Sequence, residues 1–390
     1  MDIDVWNENG LLQAAAERSD VLARERIVLY AGANLPSEAA QKAYAVGLSA
    51  YPAMGPSFDK EQPETDLVSR LEVAVRSEIC ALFSAKWAEP RLPSCTIANM
   101  AVFHAFTKPG DLLLAPSADH GGHLSQRRGG TPDLAGLEVL DLPFDMERCW
   151  LDSEAAAALI RKTSPAMVML GRSVMIKPDE LGPVVDAARH VGAKTVFDAS
   201  HVSGLIAGGA FPNPLTLGVD VMTSSTYKTI AGRPHSIIAG NTAEDGARLA
   251  DLIDRKLLAN YDAGKLPSFL VTLKETRLGA KAYAAKVCHN SEILAQALWQ
   301  RNIEVLAPSA GEQFTHQILV PLVAHLSPSH VMNELEKVGI LVGTCRNPLK
   351  RGHHALRVGT QFITAQGRDD AFLEIVAKKV ALVLNHLLVR

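Results

Sequence analysis

The chain contains 390 residues, which is too long for one simple hydrophobic core and predicts two domains. Its composition of 47% hydrophobic and 21% charged residues is that of an ordinary globular protein, and no apolar run reaches the roughly 18 residues of a membrane span. The net charge of −3, with no basic cluster longer than Arg127-Arg128, gives no sign of a nucleic-acid partner.

The N-terminal region, residues 1–40, is predicted to form an arm. Residues 2–25 have the spacing of an amphipathic helix whose apolar members are Ile3, Val5, Leu11, Leu12 and Leu22. Such a face has no evident place to be buried in a monomer, which favours a homodimer or a dimer of dimers. A second helical period covers residues 66–85.

Short apolar segments then alternate with helical ones. The predicted strands are 112–115, 138–142, 166–170, 195–198, 219–223 and 236–240. The predicted helices between them include 97–106, 153–161 and 181–191. This alternation is typical of an α/β domain with a mostly parallel sheet covered by helices on both faces, which is assigned to residues 41–265.

The pattern changes after Lys265, and residues 266–390 are predicted to form a smaller α+β domain. A long helix to residue 301 comes first. Strand-like segments follow at 303–306, 317–321, 340–343 and 356–359, with helices at 329–338 and from 369 onward.

Two polar residues follow strands of the predicted sheet. Lys228 ends the run Thr223-Ser224-Ser225-Thr226-Tyr227, and Asp198 ends the strand at 195–198. Ligands of open α/β sheets bind beyond the carboxyl ends of the strands. A lysine that forms an imine and a carboxylate that pairs with a pyridinium nitrogen are the two groups that pyridoxal phosphate requires. Taken singly, such a lysine is more often a solvated loop residue and such an aspartate a helix N-cap.

Three further segments carry polar groups that could complete a cofactor site. Ser94-Cys95-Thr96 opens a helix, whose free N–H groups favour a phosphate, although a simple N-cap explains the serine equally well. His120 and His123 have HxxH spacing, but the intervening glycines disfavour a helix that would align both imidazoles, so no metal is predicted. Arg357 lies in an apolar strand and needs an anion, either a substrate carboxylate or an interdomain acidic side chain.

The cysteines and the N-terminus indicate the compartment. The five cysteines are odd in number, scattered and without a CxxC pair, which favours reduced thiols over a disulfide framework or a zinc site. The N-terminus has acidic residues and an early tryptophan in place of the basic and apolar segments of a signal peptide. A cytoplasmic protein is therefore predicted.

Together, these segments resemble the serine hydroxymethyltransferase family of fold type I pyridoxal-phosphate enzymes. The similarity runs in order from about residue 27 to residue 367. It is most specific over residues 197–229, which contain the family's Asp-x-x-His, Gly-Leu and Pro-x-Pro patterns and a hydroxyl-rich segment before the lysine. Residues 119–125 are similar to its AHGGHLT pattern and residues 356–360 to its LRIGT pattern. The resemblance implies pyridoxal 5'-phosphate and a large domain with a seven-stranded sheet.

The resemblance also implies roles for individual residues. Lys228 would carry the imine, Asp198 would hold the pyridine nitrogen, and Arg357 would bind the substrate carboxylate. The other implied cofactor contacts are His123 stacked on the ring, His201 and Ser173 beside the ring and its phenolic oxygen, Ser225 near the lysine, and Ser94, Cys95 and Thr96 at the phosphate. Cys95 stands where the family has glycine.

One segment departs from the family pattern. The glutamate that handles protons and meets folate in the family is replaced by Ser49, which becomes a candidate substrate-binding residue. The family tyrosine that contributes to the active site of the partner subunit is replaced by Gly47. A tyrosine pair of the family is replaced within residues 56–58. The family histidine before the lysine is Tyr227 here. Folate-dependent interconversion of serine and glycine is therefore not expected.

The sequence predicts an enzyme that acts on an α-amino acid. The expected reaction forms or cleaves the Cα–Cβ bond of a β-hydroxy-α-amino acid, as in an aldolase, a transaldolase or a hydroxymethyltransferase. Without the family glutamate, His123, His201 or Tyr227 would act on the β-hydroxyl. Two alternatives are an aminotransferase or (oxidative) decarboxylase with the same cofactor, and a non-catalytic cofactor-binding partner subunit.

Overall fold

The computed structural model describes residues 8–309 and 311–388. Its strands are β1 (Ile27–Val28), β2 (Trp87–Glu89), β3 (Leu112–Ala115), β4 (Glu138–Asp141), β5 (Phe144–Asp145), β6 (Trp150–Leu151), β7 (Met167–Leu170), β8 (Lys194–Asp198), β9 (Val221–Ser225), β10 (Ser236–Gly240), β11 (Gln317–Pro321), β12 (Ile340–Leu341), β13 (Gly343–Arg346) and β14 (His354–Gly359). Its α-helices are α1 (Glu8–Asp20), α2 (Glu38–Lys42), α3 (Val46–Ser49), α4 (Asp66–Phe83), α5 (Cys95–Phe106), α6 (Thr131–Leu134), α7 (Ser153–Thr163), α8 (Gly182–Val191), α9 (Ser203–Ala207), α10 (Ala243–Leu252), α11 (Lys265–Trp299), α12 (Pro328–Lys337), α13 (Gln361–Ala365) and α14 (Asp370–Leu388).

The largest sheet has seven strands in the order β2-β10-β9-β8-β7-β3-β4. Strands β9, β8, β7, β3 and β4 pair in parallel, and β10 is antiparallel to both β9 and β2. The predicted α/β fold class with a mostly parallel sheet is confirmed. Successive side chains of a strand point to opposite faces of the sheet, and the central strand β7 is apolar and buried at all four positions because helices cover both faces.

Two hydrophobic cores flank the sheet. Met167 and Met169 of β7 pack on the face that α5 and α10 cover, whereas Val168 and Leu170 pack on the face of α4, α7 and α8. All four side chains are buried, and burying a side chain of this size contributes about 1.5–3 kcal/mol. The sheet is therefore a rigid platform for the residues at the strand ends.

The C-terminal part forms a separate core around the antiparallel sheet β11-β14-β13. The long helix α11 joins both parts, because Leu273 packs in the core of the large sheet and Leu294 in the C-terminal core. Strand β1 pairs in parallel with β12, and Leu29 is buried in the same C-terminal core. The segment that follows the predicted arm thus packs with the C-terminal part, and the predicted domain limits at residues 40 and 265 stay predictions.

Several element predictions were wrong in detail. Residues 303–306 contribute only one bridge, between Leu306 and Leu319, and the segment 340–343 divides between β12 and β13, which pair with different strands. Strand β2 and helix α9 were not predicted, because three to five residues are too few to show a period. Of the predicted arm, Ile3 and Val5 lie outside the described residues, while Leu11 and Leu12 are exposed on α1. Among the described helices, none combines the length and apolar character needed to cross a membrane.

Candidate active site

The carboxyl ends of β8 and β9 open onto two adjoining cavities. The inner one, here called the recess, has a volume of about 50 Å³ and is lined by Ser94, Cys95, Thr96, His123, Ser125, Gln126, Arg172, Ser173, Asp198, Ser200, His201, Tyr227 and Lys228. The outer chamber has a volume of about 490 Å³ and shares His123, Ser173, His201, Tyr227 and Lys228 with the recess. It adds Tyr30, Arg127, Arg346 and Arg357. Most of the side chains that the sequence singled out therefore meet at one place.

Asp198 is the last residue of β8, beside Thr223 of β9, and is only 6% exposed. Its Oδ1 accepts a hydrogen bond from the Ser200 N–H at 3.0 Å. Its Oδ2 accepts one from Asn99 Nδ2 at 2.9 Å and faces the Cys95 thiol at 3.6 Å. These partners are all neutral, and a buried carboxylate with neutral partners favours an added cation. The site thus suits a protonated ring nitrogen.

A directed chain of hydrogen bonds links Asp198 to His123. Thr223 Oγ1 donates to Asn99 Oδ1 at 2.7 Å, which leaves the Asn99 amide N–H groups for Asp198 and for Ser125 Oγ, the latter at 2.9 Å. Ser125 Oγ lies 2.8 Å from His123 Nδ1, and the Ser125 backbone N–H donates to the same nitrogen at 3.2 Å. His123 Nδ1 is therefore an acceptor, and the neutral ring carries its proton on Nε2. Burial lowers the pKa of His123, which favours that neutral form.

The second histidine of the HxxH pair turns away from the cavities. His120 Nδ1 lies 3.0 Å from Ser117 Oγ, and its ring stacks on Phe144 with centroids 4.3 Å apart. The two glycines between the histidines allow this divergence, as Gly121 has a φ of +86°. Within residues 8–309 and 311–388, no three histidine, cysteine or acidic side chains converge on a metal position.

Lys228 lies three residues beyond β9 in a turn that neighbouring segments hold. Asn34 Nδ2 donates to the Lys228 carbonyl at 2.8 Å, and Lys228 Nζ lies 5.4 Å from the centre of the Tyr227 ring. Burial lowers the pKa of Lys228, Asp198 opposes the shift, and Arg357 adds to it. Burial also raises the pKa of Tyr227, so its hydroxyl stays protonated. The turn thus presents an amine that loses its proton more readily than an exposed lysine, beside the ring of Tyr227.

The N-terminus of α5 faces the recess through Ser94 and Thr96. Ser94 is extended, and its Oγ accepts a hydrogen bond from the Ile97 N–H at 3.4 Å. The Cys95 thiol instead points at Asp198, and burial raises its pKa, so it stays protonated. A phosphate contact by Cys95 would therefore have to come from its backbone.

Arg357 lies in the middle of β14, paired with Leu319 of β11 and Gly343 of β13. Its Nη1 donates to the Ser173 carbonyl at 2.9 Å, and its guanidinium carbon lies 5.9 Å from the centre of the Tyr30 ring. Its Nε is buried with no hydrogen-bond partner among the described residues. A buried donor without a partner is costly, which favours a bound carboxylate in the outer chamber.

Two predicted site residues do not line either cavity. Ser49 ends α3, where its Oγ lies 2.9 Å from the Tyr44 hydroxyl. The Ser225 hydroxyl donates to the Ser200 carbonyl at 3.4 Å inside the protein. Neither side chain therefore reaches the recess or the outer chamber in the single chain, and their predicted roles stay predictions.

Other residues of the site were not predicted from the sequence. Asn99 lies in the apolar helix α5, and Asn34 precedes α2, so neither belongs to a local motif. His316 and Gln317 at the start of β11 contact His201, with Gln317 Nε2 at 3.0 Å from His201 Nδ1. Only the folded chain brings these residues together, although the polar Asn99 within an apolar helix is a signal that could have found one of them.

Comparison with known proteins gives the family. The family model described as serine hydroxymethyltransferase matches residues 10–380. The chain is similar to a serine hydroxymethyltransferase of Staphylothermus marinus, with 30% identity over 93% of this chain and 83% of the relative. It is also similar to an alpha-methylserine aldolase of Ralstonia sp, with 30% identity over 97% of this chain and 87% of the relative.

A solved structure gives the same fold. The crystal structure of L-threonine transaldolase from Pseudomonas fluorescens in its internal aldimine state has a TM-score of 0.87 with this chain. The match covers 96% of this chain and 87% of that one, at 24% sequence identity. The family model and the relatives together confirm the resemblance read from the sequence, and the chain belongs to the serine hydroxymethyltransferase family.

Proposed function

We propose that the protein is a pyridoxal-phosphate-dependent enzyme that forms or cleaves the Cα–Cβ bond of a β-hydroxy-α-amino acid without folate. The observation that carries this proposal is the convergence of Lys228, Asp198 and Arg357 on the recess and the outer chamber. Membership of the family supports the cofactor. The similarity to alpha-methylserine aldolases supports aldol-type chemistry.

The residues of the recess fit the cofactor. Asp198 has neutral hydrogen-bond partners and would hold a protonated ring nitrogen. Ser94 and Thr96, at the N-terminus of a twelve-residue helix, would hold the phosphate. Lys228 would bind the aldehyde carbon, and His123, with Nδ1 occupied by Ser125, would lie against the ring. His201 and Ser173 complete the lining.

The chain's own residues would orient the substrate and move protons. Pyridoxal phosphate, when bound, supplies an electron sink that stabilises negative charge on the substrate Cα. Arg357 would hold the α-carboxylate and so fix which Cα bond is aligned for cleavage. Tyr227, whose ring centre lies 5.4 Å from Lys228 Nζ, offers a protonated hydroxyl. Burial lowers the pKa of the Lys228 amine, so a larger fraction of it is uncharged than of an exposed lysine, and this amine would accept a proton.

Independence of folate rests on Ser49. A serine cannot supply the proton transfer of the family glutamate, and its hydroxyl is engaged by Tyr44. We expect serine, threonine or phenylserine to release an aldehyde at a rate that tetrahydrofolate does not change. Product analysis of the purified enzyme with each amino acid tests this expectation.

Each outcome of that experiment has a definite meaning. Release of an aldehyde with the matching smaller amino acid supports the proposal, while a keto acid or carbon dioxide in its place would identify an aminotransferase or a decarboxylase. Acceleration of serine cleavage by tetrahydrofolate would show that Ser49 is compensated. No turnover of any amino acid, with the cofactor bound, would favour a non-catalytic partner subunit.

We also propose a cytoplasmic homodimer or dimer of dimers that acts on a small amino acid. The exposed Leu11 and Leu12 on α1 support subunit contacts, and five free thiols support a reducing compartment. Light scattering at micromolar concentration checks the first point. A mass equal to the 41.9 kDa of one chain would contradict it, and cell fractionation checks the second.

A further inference from the structure

His201 is buried where the recess meets the outer chamber, and it lines both. Its Nδ1 lies 3.0 Å from Gln317 Nε2 and 3.4 Å from His316 Nε2. The charged and titratable groups that face it are Lys228, Arg357, His316 and His123. Burial, followed by these cationic groups, holds the pKa of His201 well below its ordinary value. The ring is therefore neutral, with a single proton on one of its two nitrogens.

The orientation of the Gln317 amide is fixed by two backbone groups. Its Oε1 accepts a hydrogen bond from the Met175 N–H at 3.2 Å, and its Nε2 donates to the Ser173 carbonyl at 3.0 Å. Exchanging the two amide atoms would place N–H against N–H at Met175 and oxygen against oxygen at Ser173. The nitrogen of the Gln317 amide must therefore be the atom that faces His201.

An amide nitrogen is a donor only, and one of its two hydrogens goes to the Ser173 carbonyl. The other hydrogen faces two ring nitrogens, His201 Nδ1 at 3.0 Å and His316 Nε2 at 3.1 Å, and a proton on His201 Nδ1 would oppose it. We propose that Gln317 is a positioning residue that holds the His201 proton on Nε2, which makes His201 a hydrogen-bond donor toward the bound ligand. His201 Nε2 has no hydrogen-bond partner among the described residues, and Nδ1 is occupied by Gln317. The tautomer follows from contacts within the protein, whereas its catalytic consequence rests on the proposed function.

The consequence concerns the β-hydroxyl of the substrate. A neutral His201 with its proton on Nε2 can stabilise negative charge on an oxygen, but it cannot take a proton through that nitrogen. This removes His201 from the three side chains considered as acceptors of the hydroxyl proton. Since Gln317 is in the C-terminal part and His201 in the large sheet domain, the tautomer also depends on how the two parts are joined.

Imidazole ¹⁵N NMR tests the proposal directly. The holoenzyme is labelled with ¹⁵N-histidine, and the His201 signals are assigned by their loss in His201→Gln. We expect the wild-type His201 spectrum to show a protonated Nε2 and an unprotonated Nδ1. Gln317→Glu keeps the shape but places a carboxylate oxygen opposite Nδ1, so the proton should move to Nδ1 and the pKa of His201 should rise. Gln313→Glu adds the same charge on an exposed loop and should leave the His201 spectrum unchanged.

The results that overturn the proposal are equally clear. A wild-type His201 that is protonated on Nδ1 would overturn the proposal. An unchanged His201 tautomer in folded Gln317→Glu would overturn it as well. If near-UV circular dichroism shows that Gln317→Glu does not fold, the neutral Gln317→Met variant decides. A mixture of both tautomers in that variant supports the proposal, whereas the pure Nε2–H form contradicts it. None of these readouts requires turnover, so they stand apart from the product analysis that tests the proposed reaction.

Discussion

The reactivity of Lys228 depends on where its amine is buried. Burial penalises the ammonium form, Asp198 opposes the penalty, and the nearby guanidinium of Arg357 adds to it. The pKa of the amine is lowered from its ordinary value of 10.5. A larger fraction of Lys228 is therefore uncharged near neutral pH than of a lysine in solvent.

This shift predicts the pH dependence of cofactor capture. Only the uncharged amine attacks an aldehyde, so the rate at which cofactor-free protein binds pyridoxal phosphate covalently should rise with pH. The midpoint of the rise should lie below 10.5. Stopped-flow absorbance over a pH series measures it. Capture should be lost in Lys228→Ala and kept in Lys108→Ala, which removes an exposed lysine. A midpoint at the ordinary lysine value would show that burial does not control this amine.

Residues of the site differ in how far the sequence reveals them. Asp198 and Lys228 were found because each follows an apolar strand, and the end of a strand is a position that local pattern can give. Gln317 and Asn34 were not found, because their roles come from contacts with His201 and Lys228 across the fold. The prediction for Cys95 placed it at the phosphate, whereas tertiary packing turns its thiol toward Asp198.

At the scale of elements, a short helix braces the turn that carries Lys228. The Gly204 N–H of α9 donates to Thr229 Oγ1 at 3.0 Å. A Cβ at Gly204 would lie 2.3 Å from the Thr229 carbonyl oxygen, so the two backbones touch. Glycine is required at position 204 because the two backbones approach so closely, and not because of its φ angle.

The contact predicts opposite effects for two glycine substitutions. Gly204→Ala should push the Lys228 turn away, with a loss of about 1–3 kcal/mol in the free energy of unfolding and slower cofactor capture. Gly279→Ala, in α11, meets no atom within 4 Å and should stabilise the protein by up to about 1 kcal/mol through helix propensity. Urea unfolding and the capture assay measure both. Equal effects of the two substitutions would mean that α9 does not brace the turn.

The element predictions succeeded where a segment shows a clear apolar pattern and failed where three to five residues show none. Helix α4 and strand β10 lie within two residues of their predicted bounds, because eighteen residues of helical period or an unbroken apolar strand leave little ambiguity. Strand β2 has only three residues, and its place at the edge of the sheet follows from pairing with β10. Such pairing is a tertiary fact that local sequence does not contain.

At the scale of the molecule, buried neutral histidines make stability depend on pH. Burial lowers the pKa of His235 to about 4 and that of His316 to about 3, and it lowers the pKa of His201 strongly as well. All three have an ordinary value of 6.5. Below that pH the unfolded chain binds protons that the folded chain does not, so stability is complete above pH 6.5 and is lost as pH falls.

The loss should be about 1.4 kcal/mol per pH unit for each buried histidine between pH 6 and pH 4. Urea unfolding of cofactor-free protein over this range measures the slope. His235→Phe should reduce the slope of the unfolding free energy against pH by about 1.4 kcal/mol per pH unit, the contribution of one buried histidine. The substitution should be tolerated, because His235 stacks on Phe269 and neither of its ring nitrogens has a hydrogen-bond partner among the described residues. His104→Phe, at an exposed position, should leave the slope unchanged. Parallel slopes in all three proteins would show that His235 is charged in the fold.

The pairing of β1 with β12 has a consequence for biosynthesis. Ile27 and Val28 come near the start of the chain, but their partners Ile340 and Leu341 are synthesised close to its end. The C-terminal core therefore cannot close on Leu29 while the ribosome is still translating the large sheet. Strand β1 therefore remains without its partner strand until β12 has been synthesised. Asn34, a few residues after β1, donates a hydrogen bond to the Lys228 turn. The pairing that joins the N-terminal segment to the C-terminal core therefore forms only after β12 has been synthesised, long after β8 and β9, whose carboxyl ends form the candidate active site.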